Sequence, residues 1–200
     1  RETIFCVGVS GQVTGDVYLR PHSQSFIHEQ PQVNVPFPNQ RISIDNQQLF
    51  TDSQGNFAIG NLTGPANLES TPVGSKAQLF NLRQQAAGST DPTSHYFQLV
   101  QPGNSVSWNW GYEDATVDYD PSYFEEESNV YYHLDRIHRF AQINLGISDL
   151  PAPFPAVVNS PLPCGASYYT DCRGEVGSPR QCIVFHPAGT LPWDNNQACE

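Results

Sequence analysis

The chain has 200 residues, enough for one large domain or two small ones. Twenty acidic against nine basic residues give a formal charge of −11, which leaves nothing to neutralise phosphates and excludes a nucleic-acid partner. No run approaches the roughly 18 apolar residues of a membrane-spanning helix, and only 14% of residues are charged, the rest of the polar surface being Gln, Asn, Ser, Pro and Gly.

Residues 1–110 read as a β-sandwich. ETIFCVGVSGQVTGDVYLR is rich in β-branched residues, with Gly11 and Gly15 as breaks. In PQVNVPFPNQRISIDN, Val33, Val35 and Phe37 share one face and Ile42 and Ile44 another. Pro31, Pro36 and Pro38 suit an edge strand or an arch. In QQLFTDSQGNFAIGNLTG, two apolar runs flank Thr51 to Asn56, which reads as a hairpin turn with Gly55 at the positive-φ position. Asp52 is placed to accept the turn's own amides; a calcium ligand is the alternative. Asn61-Leu62-Thr63 is an N-glycosylation sequon. The stretch AQLFNLRQQAAGSTDPTSHYFQLV gives strand-like pieces around a polar loop. SVSWNWGY then alternates, with Val106, Trp108 and Trp110 on one side. Packing between sheet and helix is the expectation for this tryptophan pair, and a carbohydrate-stacking platform the alternative.

Residues 111–200 open with an acidic run. Asp114, Asp118 and Asp120, with Glu113, offer hard oxygen ligands for calcium, but without EF-hand spacing; a solvated linker is the expectation. The segment 122–146 is the long helical signal. Val130, Leu134, Ile137, Ala141 and Leu145 recur at helical spacing, Ser122 and Glu125 fit a capping box, and Gly146 closes the end. His133 and His138 are five residues apart, about 140° around the axis, and so do not share one metal. A proline-broken connector holds a short strand from Ala156 to Asn159. CGASYYTDC and QCIVFHP follow as two strands. The fold class is therefore mainly β with one long helix, an N-terminal β-sandwich and a small α+β, disulfide-pinned C-terminal part.

The five cysteines are Cys6, Cys164, Cys172, Cys182 and Cys199. The last four lack the close pairs of a structural zinc site and read as disulfides of an oxidising, extracellular compartment. Connectivity is not readable from spacing. Cys172 to Cys182 across a hairpin with Cys164 to Cys199 around it is one candidate, which leaves Cys6 over. The sequence begins at Arg1 rather than Met, read as a removed leader or a fragment. No G-x-S-x-G elbow and no phosphate-binding glycine loop is present, so the residues name no catalytic or cofactor-binding group.

Two resemblances extend this reading. GQVTG, a proline-rich segment and the T-D-x-x-G-x-F of Thr51 to Phe57 resemble the carboxypeptidase regulatory-like (transthyretin-like) β-sandwich. NVYYHLDRIHRFAQINLG, FPAVVNSP, ASYYTD and CIVFHPAG, in that order, resemble the opening of the catalytic domain of thermolysin- and fungalysin-like zinc metallopeptidases. This implies a helix, a strand, a substrate-binding edge strand at Ala166, Ser167, Tyr168 and Tyr169, and a short apolar strand. Ala166 and Ser167 stand where that family places Asn and Ala, so the family's Asn grip on the substrate backbone is missing. The His-Glu-x-x-His zinc motif is absent from these residues, so zinc is implied only if a catalytic half follows Glu200. Two functions are carried forward. One is a secreted structural or assembly module, such as a fibre or surface-layer subunit, whose partners are copies of itself or another extracellular protein. The other is the N-terminal part of a secreted zinc metallopeptidase. A third, carbohydrate binding through Trp108 and Trp110, is kept beside them.

Overall fold

The computed structural model describes residues 7–17, 32–45, 47–82, 96–110, 124–160, 166–172 and 181–185. The first strand, β1 (Val7–Val17), is the axis of one sheet. Strand alternation turns Val9, Gly11, Val13, Gly15 and Val17 to one face, and the three valines are fully buried. The two glycines are hollows rather than the expected breaks. The Phe57 ring lies over Gly11 and the Phe37 ring over Gly15, and a Cβ at either position would collide with them. β1 pairs antiparallel with β2 (Val33–Pro36) and β5 (Asn56–Leu62), and parallel with β9 (Ser105–Trp110). These form a four-stranded sheet in which proline-flanked β2 is an edge, as expected.

From β2 the chain arches through residues 37–39 into a second sheet. There β3 (Gln40–Ile44) pairs with β4 (Gln47–Phe50) and β6 (Ala66–Gly74), and β6 pairs with β8 (Tyr96–Val100). The turn from Thr51 to Asn56 is not the expected hairpin. It joins β4 of one sheet to β5 of the other, as a sandwich corner. Thr51 is buried at this corner; its hydroxyl donates to the Phe37 carbonyl at 2.6 Å and accepts the Gln40 amide at 2.9 Å. Gly55 takes φ +73°, and Asp52 Oδ1 accepts the amides of Gln54 (2.8 Å) and Asn56 (2.9 Å). Those amides, Asn56 first, hold the Asp52 carboxyl below its ordinary value.

The second sheet runs straight across residue 110, the expected boundary between two parts. After β7 (Ala77–Asn81) its next neighbour is β10 (Phe154–Val158), parallel and in register from Phe154 opposite Ala77 to Val158 opposite Asn81. β12 (Cys182–Phe185) lies parallel to β10, and β11 (Ala166–Tyr169) lies antiparallel to β12 at the end of the sheet. The core between the sheets holds Phe37, Ile42, Ile44, Phe57, Leu68 and Trp108, among others. The Trp108 ring stacks on Phe57 with centroids 6.0 Å apart, and its indole N–H donates to Gln98 Oε1 at 2.9 Å. Trp110 donates to Ser70 Oγ at 3.2 Å. Both tryptophans are buried, so they form no carbohydrate platform.

Among the described residues the long helix, α1 (Phe124–Asn144), packs on β1 and β7. Gly146 closes it at φ +65°, as expected, letting the Ile147 amide reach the Ala141 carbonyl at 3.1 Å. The capping Ser122 lies outside the described residues. The buried stripe differs from the apolar periodicity. Val130 and Leu134 are partly buried and Ala141 is buried, but Ile137 is 63% and Leu145 59% exposed. The fully buried line runs through Ser128, Tyr131, Asp135 and His138. Specific polar contacts set this rotation. The Tyr131 hydroxyl donates to the Pro38 carbonyl at 3.1 Å, and Asn39 Nδ2 donates to Asp135 Oδ1 at 2.8 Å. Lys76 Nζ donates to Gln142 Oε1 at 3.2 Å. The Tyr131 ring also stacks on Phe37 at 5.5 Å. Burial keeps the phenol protonated, with its pKa well above the ordinary value.

Two outcomes are expected. Tyr131→Phe keeps the ring and loses one hydrogen bond, costing about 1 kcal/mol, whereas Tyr131→Ala costs about 4 kcal/mol; urea unfolding separates the two. Asp135 gives a pH signature. Burial raises its carboxyl above the ordinary 3.8, against the lowering effects of Asn39 and Arg139. Folding therefore carries a penalty at neutral pH that is relieved as pH falls through the raised value towards 3.8. The Tm of the parent relative to Asp135→Asn should rise on acidification across that window.

Candidate peptide-docking edge

The short strand β11 is built on a rigid base. Its partners run Ala166 to Phe185, Ser167 to Val184, Tyr168 to Ile183 and Tyr169 to Cys182. A disulfide joins Cys172, just past the strand, to Cys182 at the start of β12, with Cα atoms 6.1 Å apart. This pairing was one candidate among connectivities that the spacing left open. Cys6, Cys164 and Cys199 lie outside the described residues. Cys172 and Cys182 are buried together with Val157 and Val184, and Phe80, Leu82 and Tyr169 pack against them. The bridge thus doubles as a small second core beneath the edge.

Among the described residues, β11 has a partner on one side only. In an antiparallel ladder, alternate residues turn both N–H and C=O away from the partner strand. The outer side of β11 therefore offers main-chain donors and acceptors to an incoming extended chain. Tyr169 faces the cystine core, while Tyr168, 57% exposed, stands on the other face beside any added strand. Of the four residues expected at the substrate edge, all four lie on this strand. Ala166 has no side-chain amide, so recognition here rests on the backbone and on Tyr168.

The remaining candidates separate from this edge. Asp114, Asp118 and Asp120 lie outside the described residues. Asn61, at φ +65° near the end of β5, is exposed, as is Thr63. His133 meets Tyr132 edge-on at 5.4 Å. His138 is buried, and neither ring nitrogen has a hydrogen-bond partner. Arg139 Nε lies 2.8 Å from Asp135 Oδ2, a close ion pair between residues four apart on α1. Among the described residues, no group of three or more His, Cys, Asp or Glu is placed to hold a metal, and no helix is long and apolar enough to cross a membrane.

Sequence reasoning missed two surfaces. On α1, Ile137, Phe140 (56% exposed) and Ile143 (78% exposed) form an apolar stripe towards solvent. On the outer face of the second sheet, Ser43, Asp45, Asn67, Glu69 and Phe97 line a cavity of about 270 Å³. Only the second had a sequence signal: Tyr96 to Val100 lacks the polar alternation of a half-exposed strand.

A comparison with protein-family models finds no match, and one with curated proteins finds no significant match. Among the described residues the chain is a two-sheet, mainly β protein with one long helix and a disulfide-pinned edge.

Removing the bridge tests the edge directly. The loop it closes contributes about 3 kcal/mol by the chain-entropy estimate. Cys172→Ser with Cys182→Ser should lose roughly that much in chemical unfolding. Amide exchange should speed up first in β11 and β12, before β1 or β6.

Proposed function

We propose that this chain is the N-terminal part of an extracellular zinc metallopeptidase-like protein, and that it supplies a sheet edge on which an extended peptide docks. The observation that carries this is the order α1, β10, β11, β12, with β11 at the edge and antiparallel. That is the order of helix, strand, substrate edge and short apolar strand that the thermolysin- and fungalysin-like resemblance implies. The T-D-x-x-G-x-F corner supports a carboxypeptidase regulatory-like sandwich ahead of it, and the disulfide suits an oxidising, extracellular compartment. The exposed Asn61 sequon is consistent with glycosylation there.

The residues in hand do not fit the zinc that such a protein would use. The chain carries no His-Glu-x-x-His, and the described residues hold no group of three or more His, Cys, Asp or Glu placed for a metal. No catalytic step is assigned to it. Its own chemistry is positioning: main-chain hydrogen bonds from β11 fix the register of a peptide, and the cystine core keeps the strand straight.

A second reading, an assembly subunit of a fibre or surface layer, is supported by the apolar stripe of Ile137, Phe140 and Ile143. There a strand from a neighbouring copy would fill the same edge.

Native material, reduced and deglycosylated, decides between them. The peptidase reading expects a mass tens of kilodaltons above the 22.2 kDa of these residues, with about one zinc per chain. Polymers of 22.2 kDa chains without zinc would overturn it in favour of the assembly reading.

A further inference from the structure

The outer face of β3, β6 and β8 has a composition that neither reading uses. Ser43 lies opposite Glu69, and Glu69 opposite Phe97, giving one row across three strands. Asn67 opposite Leu99 forms the next row, and Asp45, just past β3, lines the same cavity. Strand spacing and residue rise make this floor about 10 Å by 7 Å, the footprint of one or two sugar rings. The polar lining is rich in acceptors. Asp45 and Glu69 present carboxylates, and the Ser43 hydroxyl already donates its proton to Glu69 Oε2 at 2.9 Å. Asn67 offers both a carbonyl and an NH₂. Beside them the Phe97 ring is 64% exposed, on a sheet face where a polar residue is the rule.

A ligand matching this face carries several O–H donors on one side and a flat C–H surface on the other. We propose that the cavity lined by Ser43, Asp45, Asn67, Glu69 and Phe97 binds a neutral saccharide, its ring stacked on Phe97 and its hydroxyls donating to Asp45, Glu69 and Asn67. An ammonium group fits less well. Recognition of such cations relies on several rings closing around the charge, and among the described residues a single ring lines this cavity. Arg41 also projects from the same face of β3, its Nε donating to Thr71 Oγ1 at 3.2 Å, and places a positive charge in the adjoining row. This site is independent of the peptide edge. It is also distinct from Trp108 and Trp110, which are buried.

The test is binding of the whole chain to an array of neutral hexose, pentose and N-acetylhexosamine oligomers, with titration calorimetry on the best of them. Binding to a neutral oligomer is expected, weakened about tenfold by Phe97→Ala and also weakened by Asn67→Ala. Far-UV circular dichroism of each variant should match the parent, so that lost binding reports on the site and not on unfolding. Raising salt from about 0.05 M to about 0.5 M should leave the affinity in place, since no net charge is paired. Three results would overturn the proposal: no neutral oligomer is retained, Phe97→Ala binds as well as the parent, or oligolysine binds in their place and is released by salt.

Discussion

The seating of α1 on the turn at residues 38–39 is the constraint from which the rest of the architecture follows. Asn39 adopts φ +60°, which turns the Pro38 carbonyl and its own side chain towards the helix. Tyr131 and Asp135 meet those groups, and Gly74 leaves the room they need. A Cβ at Gly74 would strike the Tyr131 hydroxyl and the Asn39 carbonyl. Buried polar groups are costly unless paired, so this contact tolerates little rotation or sliding. The helix is thereby held in one rotational setting, with an apolar stripe left facing solvent.

That setting also organises the larger sheet. α1 packs on both β7 and β10, the parallel pair that joins the first half of the chain to the second. With β10 fixed, β12 adds in parallel and β11 closes the row. The cystine then anchors β11 where few other contacts would hold it. An edge strand of four residues is weak alone, so a covalent clamp and a small apolar cluster suit a strand that has a partner on one side only among the described residues. The two candidate surfaces, the β11 edge and the Phe97 cavity, thus belong to one continuous sheet and sit near its opposite ends.

The legibility of these features varied with the range of the interactions behind them. Strand positions, the helix and its Gly146 stop and the buried Val106–Trp108–Trp110 face followed from alternation and helical spacing, while the Cys172–Cys182 bridge was one candidate that the structure bears out. The role of Gly11 and Gly15 did not, because a hollow is visible only once Phe37 and Phe57 are in place above it. Nor did the corner at Thr51 to Asn56: its turn chemistry was read correctly, but which strands it joins depends on pairings made elsewhere. The α1 stripe misled for the same reason. Its apolar spacing was real, yet contacts from residues far away in sequence, Pro38, Asn39 and Lys76, outweighed it.

By itself the sequence determined the local elements: which stretches extend and where the helix runs. These are set by backbone preference and side-chain period within a few residues. Only the tertiary structure decided which face of the helix is buried, that one sheet crosses from the first half into the second, that β11 is an edge, and that Phe97 lies beside Glu69. Each of these is a pairing between distant segments. Its energy depends on complementary shape and hydrogen-bond geometry that no single stretch of chain encodes.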